Sequence, residues 1–128
     1  MQDFFGAYIE AAMWSSNDES RPDGGDPLDQ NYVPADIDRE TFEEMRSDCE
    51  KFQTENEEFL IEENTNSRYG VDAQAGHDFW LTRNGHGAGF WDGDWSEPSA
   101  TKLTDSAHAF GEYTLYVGDD GKIYGMRG

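Results

Sequence analysis

Residues 77–92 read HDFWLTRNGHGAGFWD, and this stretch decides which fold the sequence predicts. Its first half alternates with the period of a β-strand. Asn84-Gly85 is typical of a tight turn, after which residues 87–91 supply a partner strand. The alternation places side chains on two opposite faces, with Phe79 and Leu81 on one face and Asp78, Trp80 and Thr82 on the other. The stretch therefore predicts a β-hairpin.

A second hairpin is predicted near the C-terminus. Residues 113–117, YTLYV, are rich in aromatic and β-branched side chains, as strands are. The turn residues Asp119-Asp120-Gly121 lead into a fourth strand at Lys122–Tyr124. Between the two hairpins, a helix is predicted from Pro98 or Ser99 to about Phe110, ended by Gly111.

The N-terminal half predicts helices separated by a loop. Apolar residues at helical spacing predict a helix over Asp3–Ser15, and the proline- and glycine-containing residues 16–35 predict a long loop. A long helix is predicted from Arg39 to about Glu63, with a cap at Asp36 or Asp38. A break near Thr54–Asn56 is the alternative. Residues 64–76 form a turn-rich connector.

These elements together predict an α+β fold in the order α-α-β-β-α-β-β. The N-terminal helices pack on a small antiparallel sheet made of two β-hairpins with an intervening helix. A chain of 128 residues suits a single domain, residues 1–128. Within it, an acidic helical part spans 1–64 and an α+β part with two hairpins spans 65–128.

The only cysteine and the first residues bear on the compartment. Cys49 lies on the apolar face of the long helix, so we expect a small buried core residue. A single cysteine cannot form a disulfide within the chain, which fits a reducing cytoplasm. Met1–Trp14 lacks the basic start of a secretory signal, and no apolar run reaches the roughly 18 residues of a membrane span.

The charge balance excludes one class of function and favours another. The chain has 28 acidic and 9 basic residues, a net charge of −19. Residues 1–64 carry a net charge of −15, and residues 65–128 carry −4. Such a field repels nucleic-acid phosphates and attracts basic protein surfaces. Solubility alone and adaptation to high salt, which the small number of lysines would fit, remain alternatives.

The exposed face of the long helix is predicted to bind a partner. Its acids occur about once per 4 Å of helix axis, roughly half the charge density of duplex DNA. Further acids between residues 18 and 38, including Asp23, add to this charge. Such a surface could occupy a nucleic-acid-binding cleft on another protein, whereas a simply solvated helix face is the alternative. The predicted contact residues are Glu40, Glu43, Glu44, Asp48, Glu55, Glu58 and Glu62.

The aromatic residues of the first predicted hairpin offer an alternative binding site. Tryptophan and arginine are frequent in interaction hot spots, and the acids would then only keep the protein soluble. The competing interpretation is that these aromatics cover the sheet. The residues of this alternative site are Trp80, Arg83, His86, Trp91 and Trp95.

No motif indicates catalysis or a metal site. His77 and His86 would lie about 20–25 Å apart along a strand, and no spacing typical of zinc ligands occurs. The aspartates at 92–94 and 119–120 lack the twelve-residue ligand series of a calcium loop. We therefore predict no catalytic residue, no metal and no cofactor, and keep a small enzyme or metal protein as a third alternative.

Several stretches resemble a group of small uncharacterised bacteriophage proteins. The resemblance rests on HDFWLTRNGHGAGFWD and YTLYVGDDGKIY, with AAMWSSNDES and PLDQNY in the N-terminal half. The group has no assigned activity, so no functional residue is carried over. The resemblance implies a phage origin and action in the cytoplasm of the bacterial host, which weakens the salt-adaptation alternative.

The leading hypothesis is a phage accessory protein that acts by protein–protein contact. We expect an inhibitor of a nucleic-acid-binding host defence system, either anti-CRISPR or anti-restriction, that acts by acidic nucleic-acid mimicry. The expected partner is a host protein with a basic or nucleic-acid-binding surface, with no direct binding to nucleic acid or membrane. A homodimer, which would extend the acidic surface, is left open.

Overall fold

The computed structural model describes residues 3–20 and 25–128, and it confirms the predicted α+β class. That part of the chain contains five α-helices and two two-stranded antiparallel sheets. The helices are α1 (Phe4–Ser15), α2 (Leu28–Asn31), α3 (Arg39–Glu55), α4 (Val71–Arg83) and α5 (Ser99–Ala109). The strands are β1 (Asn17–Asp18), β2 (Asp26–Pro27), β3 (Tyr113–Val117) and β4 (Ile123–Arg127), and 3₁₀ turns occupy Pro34–Asp36 and Glu62–Asn64.

The predicted hairpin at residues 77–91 is wrong, because residues 71–83 form α4. Side chains on both faces of the supposed strand are buried, and Phe79, Trp80, Leu81 and Thr82 are each at most 2% exposed. Residues 78–83 are all buried, so this part of the helix has no side that faces solvent and its sequence does not show the helical period. The Asn84-Gly85 pair follows the end of this helix, and turns and bends without a strand occupy residues 87–91.

Helix α4 packs closely against α1. Small side chains face each other in this contact, and a Cβ atom on Gly76 would lie 2.0 Å from the carbonyl oxygen of Phe4. Only glycine therefore permits this approach of the two backbones. The small buried residues of the two helices are Ala7, Ala11, Ala12, Ala73 and Ala75.

One of the two hairpins forms where the sequence predicts it. Strands β3 and β4 pair from Tyr113 with Arg127 to Val117 with Ile123, which confirms the C-terminal hairpin. The other sheet lies in the region predicted to be a loop, where β1 and β2 pair over two residues each. Residues 21–24 between them, including Asp23, and the first two residues of Met1–Trp14 lie outside the described residues.

The other helices form close to their predicted positions. Helices α1 and α5 are confirmed, and Asp38 caps α3 by accepting hydrogen bonds from the backbone of Glu40 and Thr41. The prediction that α3 continues to Glu63 is wrong, and the helix ends at the alternative break near Thr54–Asn56. Turns and the 3₁₀ turn at Glu62–Asn64 follow this break in place of a second helix. At this break the buried Asn56 donates from Nδ2 to the Phe52 carbonyl oxygen and to Ser106 Oγ, at 2.9 and 2.8 Å.

Stacked phenylalanine rings form the centre of the core. The rings of Phe52 on α3 and Phe79 on α4 lie 4.2 Å apart between centroids, and Phe4 and Phe90 pack around them. Cys49 is 1% exposed beside this cluster, as predicted, and burial raises the pKa of its thiol. The thiol therefore stays neutral at physiological pH, as a packing residue. Among the described helices, none has both the length and the apolar character needed to cross a membrane.

Candidate protein-interaction surface

The outer side of α3 carries acidic side chains into solvent. Glu40, Glu43 and Glu50 lie within about 80° of one another around the helix axis at 100° per residue. They point away from the buried face that contains Met45 and Phe52. The exposed acids continue past the end of the helix. We call the whole set the α3 acidic surface: Glu40, Glu43, Glu50, Glu55, Glu57, Glu58, Glu62 and Glu63.

This surface is poorly neutralised by basic side chains. In the described part of the chain, its one ion pair joins Glu43 Oε2 to Arg46 Nε at 3.9 Å, and both side chains are largely exposed. An exposed pair of this length contributes little energy. The remaining seven carboxylates therefore present their charge to solvent or to a partner.

Asp48 does not belong to this surface, although its position in the sequence predicts an exposed contact residue. It is 8% exposed and points inward, because it lies on the same side of α3 as Met45 and Phe52. Asp48 Oδ2 accepts from Arg83 Nη1 at 2.9 Å and from Arg127 Nη1 at 3.0 Å, and Asp48 Oδ1 accepts from Arg127 Nη2 at 3.1 Å. Its negative charge is therefore paired with two arginines and does not contribute to the α3 acidic surface.

Glu44 has an intermediate position. Its carboxylate accepts a hydrogen bond from Tyr113 Oη at 2.6 Å and lies 3.5 Å from Arg127 Nε. Burial raises the pKa of Tyr113 above its ordinary value, and the hydrogen bond to Glu44 raises it further by a smaller amount. The hydrogen bonding of the Arg127 guanidinium to the Asp48 carboxylate, which accepts from it, raises the pKa of Arg127. Glu44 thus helps to attach the C-terminal hairpin to α3, and only part of it faces solvent.

The alternative site of five aromatic and basic residues is not assembled. Its hairpin is absent, and Trp80, Arg83 and Trp95 are each at most 5% exposed. Trp80 Nε1 donates to Ser15 Oγ and Trp95 Nε1 donates to Asp78 Oδ2, both at 2.8 Å. These three residues therefore belong to the interior.

The other two members of that alternative site lie outside the core. His86 is exposed, and Trp91 is 54% exposed. Both follow the end of α4, in the turns that replace the predicted second strand. Three of the five residues of the alternative site are therefore buried, and the other two lie on the surface.

Arg83 differs from its predicted exposed position, because its guanidinium is completely enclosed. Besides Asp48, it donates to Tyr8 Oη at 3.0 Å and to the carbonyl oxygens of Gly111 and Phe110 at 2.8 and 3.3 Å. The guanidinium also lies over the rings of three aromatic residues, at 5.4 to 5.7 Å from their centroids: Phe79, Phe110 and Tyr113. One basic residue of the chain is therefore withdrawn from the surface.

The charge density of α3 is lower than the sequence predicts. Between Glu40 and Glu55 the helix rises by about 22 Å, a length over which duplex DNA carries roughly 13 charges. Four exposed acids lie on that part of α3, because Asp48 points inward, Glu44 is half-buried and the helix ends before Glu57. The acidic surface is therefore a patch that continues beyond α3 and not a rod that copies a duplex.

Other clefts offer little chemistry of their own. One cleft of about 730 Å³ lies between α1 and α4 and is lined by Arg68, Tyr69, His77 and Asp94, among others. Partial burial raises the pKa of Asp94, and the neighbouring negative charge of Asp92 raises it further by a smaller amount. In the described residues, no three histidine, cysteine or acidic side chains come together as a metal site.

A smaller groove is apolar, and sequence reasoning missed it. It has a volume of about 500 Å³ and runs between α1, the start of α3 and residues 32–34. Tyr32 is half-buried, but Val33 is 57% exposed. Nothing in the local sequence signals a groove, because its walls come from segments far apart along the chain.

Comparisons with protein families, with curated proteins and with solved structures found no match to this chain. The function proposed for this chain therefore depends on the geometry and charge of its described residues.

Proposed function

We propose that this protein is a phage accessory protein that inhibits a host defence system by binding the basic, nucleic-acid-binding surface of one of its components. An RNA-guided nuclease or a restriction enzyme has such a surface. The protein would act in the bacterial cytoplasm, by occupancy and without catalysis. The α3 acidic surface, with eight exposed carboxylates and one weak ion pair in the described residues, supports the proposal most directly.

The charge would act mainly on the rate of encounter. Complementary charge raises association rates well above those of neutral proteins, and added salt screens this effect. Because the acids continue from α3 into the following turns, they suit a broad basic cleft better than a narrow groove shaped for a duplex. Inhibition then needs only that the nucleic acid and this protein compete for the same basic surface.

Charge reversal tests the proposal. Tagged wild-type protein and the triple variant Glu40→Lys, Glu43→Lys, Glu50→Lys are used to capture proteins from bacterial lysate at low salt, and captured proteins are identified by mass spectrometry. Each purified partner is then tested for displacement of fluorescent DNA or RNA. We expect the wild type to capture a nucleic-acid-binding protein and displace its nucleic acid, and the triple variant to lose at least about tenfold in apparent affinity.

A matched variant controls for the change in net charge. Asp105→Lys, Glu112→Lys, Asp119→Lys also reverses three exposed acids, but outside the α3 acidic surface. We expect it to keep most of the wild-type affinity. Capture of no nucleic-acid-binding protein, or an equal loss in both triple variants, would contradict the proposal.

A further inference from the structure

The groove beside α3 combines an apolar interior with an acidic edge. The buried side chains of Ile9 and Met13 form its floor, and Phe5 and Phe42 form half-buried walls. The two phenylalanine rings meet edge to face at 5.0 Å between centroids. Val33 stands at the rim with more than half of its side chain in solvent. The groove therefore leaves apolar surface open to water.

The charged side chains that line this groove have one sign. Three acids line it and no basic residue does, among the described residues: Asp3, Glu10 and Asp29. Asp3 and Asp29 are exposed, and each lies at the start of a helix, α1 and α2 respectively. An occupant must therefore bring apolar atoms together with positive charge.

A basic side chain of the protein itself packs against the two phenylalanine rings that form the walls. The guanidinium of Arg46 lies 5.1 Å from the ring centroid of Phe5 and 5.4 Å from that of Phe42. A cation over an aromatic face is favourable, and Arg46 also pairs weakly with Glu43. The same ring pair therefore joins the groove to the α3 acidic surface, since Glu43 belongs to that surface.

We propose that the groove binds a basic amphipathic segment of the partner protein. An apolar side chain of that segment enters between Phe5, Phe42 and Val33, and lysine or arginine side chains on either side contact Asp3 and Asp29. This inference rests on the proposed function, for which it supplies the apolar anchor. Charged contacts speed association, but a few buried apolar residues usually carry most of the affinity.

Charge argues against the other occupants. A second copy of this chain has a net charge of −19 and meets like charge at the groove. An acidic peptide, a nucleic acid or an anionic lipid surface meets the same repulsion. A basic segment with an apolar face meets attraction from both the rim and the interior.

Three labelled peptides of about 18 residues test the groove directly, a length that forms about five helical turns. The first places leucines on one helical face and lysines on the other, the second replaces the lysines with glutamates, and the third replaces the leucines with serines. Fluorescence anisotropy measures their binding to the full chain. We expect the first peptide to bind at least about tenfold more tightly than either of the others.

Two pairs of variants locate the binding. Val33→Lys places a charge on the rim, and Met126→Lys makes the same kind of change at an apolar residue of equal exposure, 57%, outside the groove. Asp29→Asn and Asp72→Asn each remove an exposed acid from the first turn of a helix, and only Asp29 lines the groove. We expect Val33→Lys and Asp29→Asn to weaken binding of the first peptide, and Met126→Lys and Asp72→Asn to leave it unchanged.

The possible failures are distinguishable. If Val33→Lys and Met126→Lys bind the first peptide equally, or if sedimentation shows a dimer that Val33→Lys dissociates, the groove inference is wrong. The proposed function still stands in the first of these cases if the Glu40, Glu43, Glu50 variant loses displacement of nucleic acid. If the wild type displaces no nucleic acid from any captured partner while Val33→Lys loses peptide binding, the groove is a peptide site and the proposed function is wrong.

Discussion

Helices α3 and α4 differ in how much of their surface meets water. Helix α3 has one buried face and one acidic face, and the sequence predicts where it begins and which side of it is apolar. Helix α4 buries nine of its thirteen residues, including an aspartate and an arginine, and the sequence predicts a strand in its place. Helical periodicity is a signal that arises from a boundary with solvent, so it is lost where a helix has no such boundary.

Substitutions of the buried residues of α4 should therefore destabilise the fold more than substitutions on the outer side of α3. The largest effect is expected for Arg83→Ala. This change removes the buried partner of Asp48 and the donor to two backbone carbonyl groups, so the free energy of unfolding should fall by about 3–5 kcal/mol. Urea unfolding followed by tryptophan fluorescence measures it.

An exposed arginine provides the reference for that experiment. Arg68→Ala removes the same side chain in the connector before α4, where it is exposed. We expect the free energy of unfolding to change by no more than about 0.5 kcal/mol. A loss below about 1 kcal/mol for Arg83→Ala would mean that the buried charge cluster does not form.

A smaller loss is expected for Gly76→Ala, and its sign tests the fold. Alanine favours a helix over glycine by up to about 1 kcal/mol. Its Cβ atom would, however, overlap the carbonyl oxygen of Phe4, and overpacking costs about 1–3 kcal/mol. We therefore expect a net decrease in the thermal midpoint, whereas Gly87→Ala, with open space around it, should change it little. An increase in the thermal midpoint for Gly76→Ala would mean that α4 and α1 do not approach each other this closely.

The smallest effect is expected for the outer acids of α3. Glu43→Gln and Glu50→Gln should change the free energy of unfolding by less than about 0.5 kcal/mol, because neither carboxylate is held in the interior. At low salt both variants should become slightly more stable than the wild type, since they reduce repulsion between like charges. Asp48→Asn is the control and should lose stability at all salt concentrations.

A clear loss of stability in the two outer variants would overturn this difference between the faces of α3. It would mean that Glu43 and Glu50 take part in the fold, and their charge would no longer be available to a partner. The same urea measurements at low and high salt therefore check the premise of the α3 acidic surface before any partner is known.

Some of the candidate site was predictable from residue order alone. Glu40, Glu43, Glu55, Glu58 and Glu62 are exposed as expected, because charged side chains on an amphipathic helix and in turns remain in water. Asp48 was misplaced because its helical position borders the buried face, and two arginines from distant segments stabilise it there. No local pattern reports partners that are 35 and 79 residues away.

The same limit explains the tryptophans and the groove. From the sequence, Trp80 and Trp95 fit a binding site as well as core packing. In the structure both are buried, and their indole N–H groups donate to Ser15 and Asp78, respectively. The groove needs Phe5, Val33 and Phe42 to come together from three segments. Each looks like an ordinary core residue in its own segment.

By itself, the sequence determined the strong acidity, helices α1, α3 and α5, the C-terminal hairpin and the burial of Cys49. These features depend on composition or on patterns that repeat within one element. Tertiary structure alone decided that residues 71–83 form a helix, that Asp48 pairs while Glu43 faces solvent, and that an apolar groove opens beside α3. Those outcomes depend on which distant surfaces meet, because burial and pairing are properties of contacts between segments.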